Sequence, residues 1–512
     1  MFFLQLEIGM QNVLRLSFHK DPITLDPQKS NDKLSSAIIF LLFKGLTRLE
    51  TDQTIHCDLA DSFYSLNNCT KFVFHLGNHC WSDNTPITTQ DFLYSWKRAL
   101  APSFPLRAVN FFYHIKNAEK AKKGLISLDK VGIHAENERT LVIELEHPCP
   151  YFPEITSFCP LFPLPSRTKG CKISSLSSGA FQLQYWEKGR EILLRKNLLC
   201  KKAAELDAIH IKIIPDEKEA FAAFENDQLD WIGDPISPLP VAYLPALSLK
   251  KEIKPLDGML SCWFNTLKRP FYNVHLRKAI AHAIPRRKLI EKLLLPNVLL
   301  KKSLFSSLFQ ENETFLEQEC QEKARKLFQI ALHDLRIKQL KITLSYEATD
   351  LFSRTAALLK AYCEEIFDIS IRLNPLPFKE LFQNLRHQQF QVTLIQSISQ
   401  YTDVINFLER FESRHIPRNF TGWEQAQYQT LLRRYRKTID QNERQDIAKK
   451  AELILLEEMP IAPIYCEHYV YLQKPYVQNL GISPIGVVHF DRVALQKQRS
   501  VSTEKDLLTI VG

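Results

Sequence analysis

Glycine is scarce in this chain, with 14 residues among 512. Loops that bring the backbone close to a phosphate, or that present a nucleophile on a tight turn, depend on glycine. The sequence contains no G-x-G-x-x-G, no P-loop pattern, no G-x-S-x-G and no H-E-x-x-H. We therefore expect no nucleotide-binding loop and no nucleophile elbow, and we assign no catalytic residues.

Long apolar runs and metal-ligand spacings are also missing. The longest apolar run, residues 37–43, lies between Ser36 and Lys44 and is far shorter than the roughly 20 residues of a membrane-spanning helix. The 11 cysteines include no C-x-x-C pair, which argues against a zinc ribbon or a thioredoxin-type site. Buried thiols or some disulfides explain the cysteines, and we expect neither a metal nor a cofactor.

The charge balance is mildly basic, with 66 Lys and Arg against 57 Asp and Glu. The basic residues are dispersed apart from short runs such as residues 433–437, and no basic stripe alternates with aromatic residues. This pattern indicates solvated faces and no nucleic-acid partner.

Strand and helix patterns alternate in two parts of the chain. Residues 208–232 read as strand, helix and strand, and residues 339–395 read as a βαβαβ unit. Such alternation predicts parallel sheets with crossover helices. Residues 131–145 read as a pair of strands instead, so two α/β lobes flank a more β-rich insert. Two lobes of this kind leave a cleft at the carboxyl ends of their strands, which favours ligand binding with hinge closure.

Seven segments, in order along nearly the whole chain, resemble family 5 of the extracellular solute-binding proteins of ABC peptide importers. The oligopeptide-binding members are the most similar, in particular the divergent copies of intracellular bacteria. The segments are LFKGLTRLE (42–50), LADSFYSL (59–66), FVFHL (72–76), WSDNTPITTQDFLYSWKRAL (81–100), SGAFQLQYW (178–186), FNTLKRPFYNVHLRKAIAHAI (264–284) and AELILLEEMPIAPIY (451–465).

The resemblance implies an α/β, periplasmic-binding-protein-like fold of class II, the peptide- and nickel-binding type. Two α/β lobes are then joined by a hinge, with an extra β-rich subdomain. The implied parts are lobe I (1–50), the insert (51–165), lobe I continued (166–258), lobe II (259–472) and a return to lobe I with the C-terminal tail (473–512).

The resemblance also implies a function. We expect a monomer that captures an oligopeptide or a peptide-like small ligand, without turnover, and delivers it to the membrane subunits of an ABC permease. Family members act in the periplasm. Because MFFLQLEIGMQ has no signal-peptide pattern, we expect that the start of the given sequence is incomplete.

One loop departs from the family pattern. The family has a W-C-x-D-Y segment after the third strand of the βαβαβ unit, and its Asp pairs with the α-ammonium group of the peptide. The corresponding residues are Ser397, Ile398, Ser399, Gln400 and Tyr401, so Gln400 replaces the acid. Either Asp403 substitutes for it, or Asp403 only begins a helix and the ligand lacks a free α-ammonium group.

Other candidate ligand-binding residues follow from the same alignment. In the N-terminal stretch we expect a reduced negative charge that favours carboxylate-bearing ligands, although a helix-capping turn explains the same residues. At the hinge strand Trp263 is the preferred candidate, and after an earlier strand end we expect backbone donors. The candidates are Asn31, Asp32, Lys33, Phe104, Leu106, Gly233, Asp234, Cys262, Trp263 and Asn265.

Three alternatives stay open. Relatives of this kind carry nickel chelates, haem or cell-wall peptides, so a non-peptide ligand is one alternative. A hydrolase on the same scaffold is a second, and a degenerate copy that acts as an interaction protein is the third.

Overall fold

A computed structural model describes residues 11–30, 32–106, 108–167, 176–201, 204–240, 252–293 and 320–496. Strands and helices alternate through most of these ranges. The strands are β1 (Val13–Phe18), β2 (Thr47–Leu49), β3 (Ile55–Cys57), β4 (Ala60–Leu66), β5 (Lys71–Leu76), β6 (Ile133–Ala135), β7 (Thr140–Glu144), β8 (Phe181–Glu187), β9 (Glu191–Lys196), β10 (Ala208–Ile213), β11 (Trp231–Gly233), β12 (Glu252–Phe264), β13 (Lys341–Glu347), β14 (Ser370–Leu376), β15 (Val392–Ile398), β16 (Ile461–Gln473), β17 (Val477–Gln478) and β18 (Ala494–Leu495).

The helices vary widely in length, from a single turn to 18 residues. No helix among the described residues is both long and apolar enough to cross a bilayer. The α-helices are α1 (Lys33–Leu42), α2 (Thr89–Leu100), α3 (Ala118–Lys122), α4 (Phe152–Ile155), α5 (Glu217–Glu225), α6 (Val274–Ala283), α7 (Arg286–Lys292), α8 (Gln321–Leu335), α9 (Asp350–Phe367), α10 (Phe378–Arg386), α11 (Ile405–Leu408), α12 (Ala426–Lys437) and α13 (Gln441–Glu458).

The main sheet contains 10 strands in the order β14-β13-β15-β12-β16-β11-β1-β10-β9-β8. On one side β1 is parallel to both β10 and β11. On the other side β13 is parallel to both β14 and β15. Between the two parallel sets, β12 and β16 run antiparallel to each other, with 13 residues each. Two long strands therefore connect the two α/β halves, which is the arrangement of a hinge.

Both predicted alternating segments form parallel strands with helical crossovers. In the first half, α5 lies between β10 and β11, and the Asp216 carboxylate caps α5 by accepting the Lys218 and Glu219 N–H groups at 2.8 and 2.9 Å. In the second half, α9 and α10 alternate with β13, β14 and β15. Local hydrophobic periodicity and caps are enough to specify these elements, so the sequence predicts them well.

A separate sheet of four strands, in the order β4-β5-β7-β6, lies entirely within residues 51–165. The residues Thr88-Thr-Gln-Asp91 predict a capping box, and helix α2 begins there, with the Thr88 N–H donating to Asp91 Oδ2 at 3.0 Å. Its predicted apolar face, formed by Phe92, Trp96 and Ala99 among others, is fully buried. The domain boundaries given above remain a prediction.

The start of β16 differs from the sequence prediction. The sequence predicts a strand over residues 464–472, preceded by Pro460 and Pro463, but β16 begins at Ile461 and includes Pro463. The pairing with β12 shifts register there, since Leu260 pairs with Tyr465 and Ser261 with Pro463. Proline lacks an N–H group and is tolerated at such an irregularity.

Candidate functional site

Charged groups at the carboxyl ends of the two parallel sets lie close enough to act on one another, so we place the expected cleft between them. Burial raises the pKa of Glu347, at the end of β13, and the charge of Lys20, which follows β1, opposes this rise. Burial also raises the pKa of Glu217, at the start of α5, and the charge of Asp350, at the start of α9, adds to this rise. These charges act on one another from opposite halves, so the cleft lies where ligands bind in open α/β sheets.

Three charged side chains meet at the hinge end of the cleft. Lys33 begins α1, Asp234 follows β11, and Glu467 lies in the middle of β16. The Lys33 Nζ donates to the Ile485 carbonyl oxygen at 2.9 Å, and Glu467 accepts a hydrogen bond from the Gln396 side chain at 2.6 Å. Within the described ranges none of these three charges forms an ion pair.

Burial shifts the pKa of all three groups. Burial lowers the pKa of Lys33 to about 8, although the Glu467 charge opposes this shift. Burial raises the pKa of Glu467 to about 7, and the charge of Asp234 adds to the rise. Burial also raises the pKa of Asp234 to about 6. Yet the side chains of Lys33 and Asp234 are open to solvent, so they line a concave surface.

A buried hydroxyl points to the same place. Tyr469 lies two residues beyond Glu467 on β16, so both side chains project from the same face of the strand. Tyr469 is 1% exposed, and its hydroxyl has no hydrogen-bond partner among the described residues. Burial raises its pKa, and so does the charge of Asp234. This hydroxyl is enclosed by protein, so it adds to the polarity around the hinge end without lining open space.

The loop that carries Ser397, Ile398, Ser399 and Gln400 lies at the end of β15. Ser397 and Ile398 are the last residues of this strand, and the Ser399 N–H donates to the Asp257 carbonyl oxygen of β12 at 2.7 Å. The Gln400 N–H donates to Asn406 Oδ1 at 2.8 Å. The Gln400 side-chain oxygen accepts a hydrogen bond from Asn110 Nδ2 at 3.2 Å. The loop therefore joins the hinge strand to the insert.

Tyr401 holds this loop against the insert. Its ring is fully buried and stacks on Tyr151, with ring centroids 5.3 Å apart and planes 10° apart. Next to it, the buried Glu154 carboxylate accepts hydrogen bonds from the Thr402 N–H at 2.6 Å and from the Thr402 hydroxyl at 2.8 Å. The segment that follows β15 is therefore in direct contact with the segment around α4.

The partners of Asp403 give no support to the suggestion that it replaces the missing acid, which stays a prediction. The Asp403 carboxylate pairs with Arg444, whose side chain is 1% exposed. It also accepts hydrogen bonds from the Tyr435 hydroxyl at 2.7 Å and from the Ile405 N–H at 3.0 Å. Both oxygens are thus committed within lobe II, because a buried guanidinium needs a counter-charge.

The candidates on the hinge strand are core residues, which corrects the expectation that they face the ligand. Cys262 is buried in the apolar core of lobe II. Trp263 projects to the opposite face, as strand alternation requires, where it is 1% exposed and packs on Phe411 and Phe420. Its indole N–H donates to the Ser261 hydroxyl at 2.9 Å. Both faces of this end of β12 are covered, so neither side chain reaches the cleft.

Asn265 is likewise structural. It is fully buried, its amide nitrogen donates to the Gln388 and Phe390 carbonyl oxygens, and its side-chain oxygen accepts the Leu267 N–H. These bonds use the polar atoms of the side chain. The amide therefore anchors a turn and has no group left for a ligand.

The N-terminal candidates lie beside the hinge end. Asn31 lies outside the described residues. Asp32 caps α1 by accepting the Ser35 N–H at 2.9 Å, and its second oxygen is buried without a partner among the described residues. The geometry therefore supports the helix-capping role of Asp32, whereas the expected preference for carboxylate-bearing ligands stays a prediction.

The backbone-donor prediction after β11 needs correction. The Asp234 N–H already donates to the Val470 carbonyl oxygen at 3.0 Å, and Gly233 pairs with Tyr471. A side chain at Gly233 would collide with Tyr471 and Trp231, so glycine permits close packing there. What this segment presents to the cleft is the Asp234 carboxylate.

Phe104 and Leu106 are placed elsewhere. The Phe104 ring packs under the Arg98 guanidinium at 4.3 Å and near Lys29 and Lys122. Leu106 is partly buried against the main core. Among the described residues, the structure shows no contact between Phe104 and the 397–403 loop.

Sequence reasoning missed Glu467, Gln396 and Glu154. Glu467 interrupts the apolar strand pattern of residues 464–472, and an acid at an inward position of a predicted strand is a signal that was available. Glu154 ends a proline-rich segment, and Gln396 is the polar residue of an apolar strand. Their significance depends on which strands become neighbours, which local pattern does not specify.

Comparison with known proteins identifies the family. Residues 54–416 match the bacterial extracellular solute-binding proteins, family 5 middle. The oligopeptide-binding protein OppA of Bacillus subtilis (strain 168) is 28% identical, over 94% of this chain and 92% of OppA. The probable deoxycholate-binding periplasmic protein YgiS of Escherichia coli (strain K12) is 27% identical, over 92% of this chain and 91% of YgiS.

The fold comparison agrees with the sequence comparison. The crystal structure of Haemophilus influenzae OppA in complex with RPPGFSPFR superimposes with a TM-score of 0.80 and 20% identity, covering 95% of this chain and 99% of that one. The predicted α/β fold of the periplasmic-binding type is thereby confirmed. The chain belongs to family 5 of the bacterial extracellular solute-binding proteins.

Proposed function

We propose that this protein is the solute-binding component of an ABC importer and captures oligopeptides or peptide-like solutes in the inter-lobe cleft. The observation that carries the proposal is the set of charged groups at the hinge end, Lys33, Asp234 and Glu467, which lack ion-pair partners among the described residues. The relationship to OppA of Bacillus subtilis supports a peptide ligand.

The charges suit the ends of a peptide. The two carboxylates of Asp234 and Glu467 carry more negative charge than Lys33 can neutralise. An ammonium group of the ligand therefore balances the charge at this end of the cleft. Such a cation favours the ionised carboxylates, which burial otherwise destabilises. The ligand therefore stabilises the closed form through its differential affinity for that form.

Of the predicted ligand-binding residues, we retain those that border the cleft. They are Asp32, Lys33, Asp234, Ile398, Ser399 and Gln400. Strand edges offer main-chain partners that any peptide can use, and this makes binding tolerant of peptide sequence.

The remaining parts of the proposal concern partners and location. We propose that the protein acts as a monomer, delivers its ligand to the permease subunits of an ABC transporter, works in the periplasm and does not transform its ligand. Cell fractionation with sequencing of the mature N-terminus tests the location. Recovery from the cytosol with an unprocessed Met1 contradicts it.

Native mass spectrometry tests the binding proposal. The purified protein is incubated with a defined mixture of peptides of about two to five residues, and with the same amino acids in free form as the control. We expect one peptide adduct per protein, no adduct with free amino acids, and an unchanged peptide mixture after prolonged incubation. Absence of peptide adducts, or release of cleaved peptides, contradicts the proposal.

A further inference from the structure

Two cysteines meet where the turn between β4 and β5 packs against the segment before α4. The Cys149 N–H donates to the Cys69 carbonyl oxygen at 3.0 Å. Residues joined by such a bond between antiparallel strands have Cα atoms about 5.5 Å apart. Disulfides bridge Cα atoms that are about 4.4 to 6.8 Å apart. The backbone therefore already has the separation that a bond between Cys69 and Cys149 requires.

Both side chains belong to the same face of the four-stranded sheet. Cys69 Sγ lies 3.7 Å from Ser65 Oγ, and Ser65 pairs with Phe72 across β4 and β5. Directly opposed residues project from the same face of a sheet. The Phe72 ring packs on the Phe152 ring of α4, with ring centroids 5.4 Å apart, and the Phe152 N–H donates to the Cys149 carbonyl oxygen at 3.0 Å. The Cys69 thiol thus lies on the face that α4 covers, next to the segment that carries Cys149.

The two residues are free thiols in the structure, and only weak contacts hold their present orientations. Cys149 is 2% exposed, and its Sγ lies 3.9 Å from His114 Nδ1. Cys69 is half-buried. Because thiols are weak hydrogen-bond donors, a change of side-chain rotamer costs little in lost bonds. Burial raises the pKa of Cys149 well above its usual value, and an uncharged disulfide sulfur suits the same apolar surroundings.

The conformation of the turn does not explain a cysteine at position 69. The φ angle of Cys69 is 57°, in the left-handed region. Asn and Gly adopt this region most readily, and Asn67 and Asn68, which precede Cys69, also have positive φ angles. A cysteine therefore costs backbone energy here, and a bond formed by its side chain would offset that cost.

We propose that Cys69 and Cys149 form a structural disulfide when the protein meets a disulfide oxidant such as oxidised glutathione. The Cys69 thiolate attacks one sulfur of the oxidant and releases its first thiol. The Cys149 thiolate then attacks the Cys69 sulfur of the mixed disulfide and releases the second thiol. Two electrons pass from the cysteine pair to the oxidant, and the two cysteine protons end on the two released thiols. Because burial opposes the Cys149 thiolate, the exchange takes place in transient openings of this segment.

The bond would close a long loop. It joins residues that are about 80 positions apart in the chain, and the restriction of the unfolded chain by a disulfide grows with the length of the loop. We therefore expect the oxidised protein to resist unfolding better than the reduced protein. This inference goes beyond the proposed function, because it concerns a covalent bond within the fold and requires no ligand.

Peptide mapping of the full-length protein tests the bond. The protein is equilibrated with oxidised glutathione and its remaining thiols are alkylated. Tryptic peptides are then fragmented so that Cys69 is distinguished from Cys57, and Cys149 from Cys159. We expect a cross-link between Cys69 and Cys149 that has two hydrogens fewer than the two reduced peptides. The matched control Cys57→Ser should keep this cross-link. Recovery of both cysteines as alkylated thiols or glutathione adducts, or a bond from either one to another cysteine, would overturn the proposal.

Urea unfolding tests the structural role of the bond independently of peptide binding. The oxidised wild type should unfold at a higher urea midpoint than the same protein with a thiol reductant. Cys69→Ser, at the half-buried turn position, should have the same midpoint under both conditions, whereas Cys57→Ser should behave like the wild type. Equal midpoints for the wild type would overturn the structural role. A difference that survives in Cys69→Ser would come from another cysteine pair and would also count against the proposal.

Discussion

Replacing Asp403 by asparagine separates a structural role from a ligand-binding role. The Arg444 side chain is 1% exposed and the Asp403 side chain is 13% exposed. Asparagine preserves the shape but removes the counter-charge of Arg444. Removing one partner of a buried ion pair costs about 3 to 5 kcal/mol. Since Asp403 is partly exposed, we expect Asp403→Asn to lower the free energy of unfolding by about 3 kcal/mol.

Urea unfolding followed by tryptophan fluorescence measures this effect. The matched control is Asp129→Asn, which breaks the exposed ion pair with Lys97 and should leave the unfolding midpoint unchanged. The double variant Asp403→Leu with Arg444→Met should recover most of the loss, because apolar residues replace buried ion pairs at little cost. The reasoning fails if Asp403→Asn unfolds like the control. It also fails if that variant keeps its stability but loses affinity for peptides with free amino termini.

Two further changes test the assignments at the hinge. Burial raises the pKa of Glu467 from 4.5 to about 7, so the unfolded chain ionises first and stability falls as pH rises through this interval. We expect Glu467→Gln to raise the unfolding free energy of the ligand-free protein by up to about 3 kcal/mol at about pH 8 and to leave it unchanged near pH 4. Urea unfolding measures both values, and an equal effect of the substitution at the two pH values would contradict this expectation. Trp263→Ala should lower the unfolding free energy by about 3 to 5 kcal/mol and leave peptide affinity, measured by calorimetry on the folded fraction, unchanged. If Trp263→Ala instead lost peptide affinity while keeping its unfolding free energy, Trp263 would be a ligand-binding residue.

Prediction from sequence succeeded where signals are local. The sequence pattern predicts a capping box at Thr88–Asp91, a helix over residues 378–386 and a strand over residues 71–76, and the structure has all three. Each depends on contacts between residues close in the chain, such as a side chain that accepts an N–H group three residues away. Strand β12 lacks such a pattern, because its two halves pack in different surroundings.

Prediction of the site was less successful. Trp263 and Cys262 have the residue types and the position that the family alignment favours, yet both faces of their strand are covered. Asp403 is an acid in the right loop, but Arg444, 41 residues away, takes its charge. An alignment gives the position of a residue along the chain, whereas the partner that uses its polar atoms comes from elsewhere in the chain.

The sequence alone thus determines the α/β class, the crossover segments and the relationship to solute-binding proteins. Periodicity, helix caps and the order of the matching segments are properties of residues that are close in the chain. The sequence does not determine which charges remain unpaired in the cleft, because this depends on the tertiary structure. Glu467, Asp234 and Lys33 come from three distant segments of the chain. Their pairing and burial follow from how the two halves close on each other, and so the ligand-binding chemistry arises only when the chain has folded.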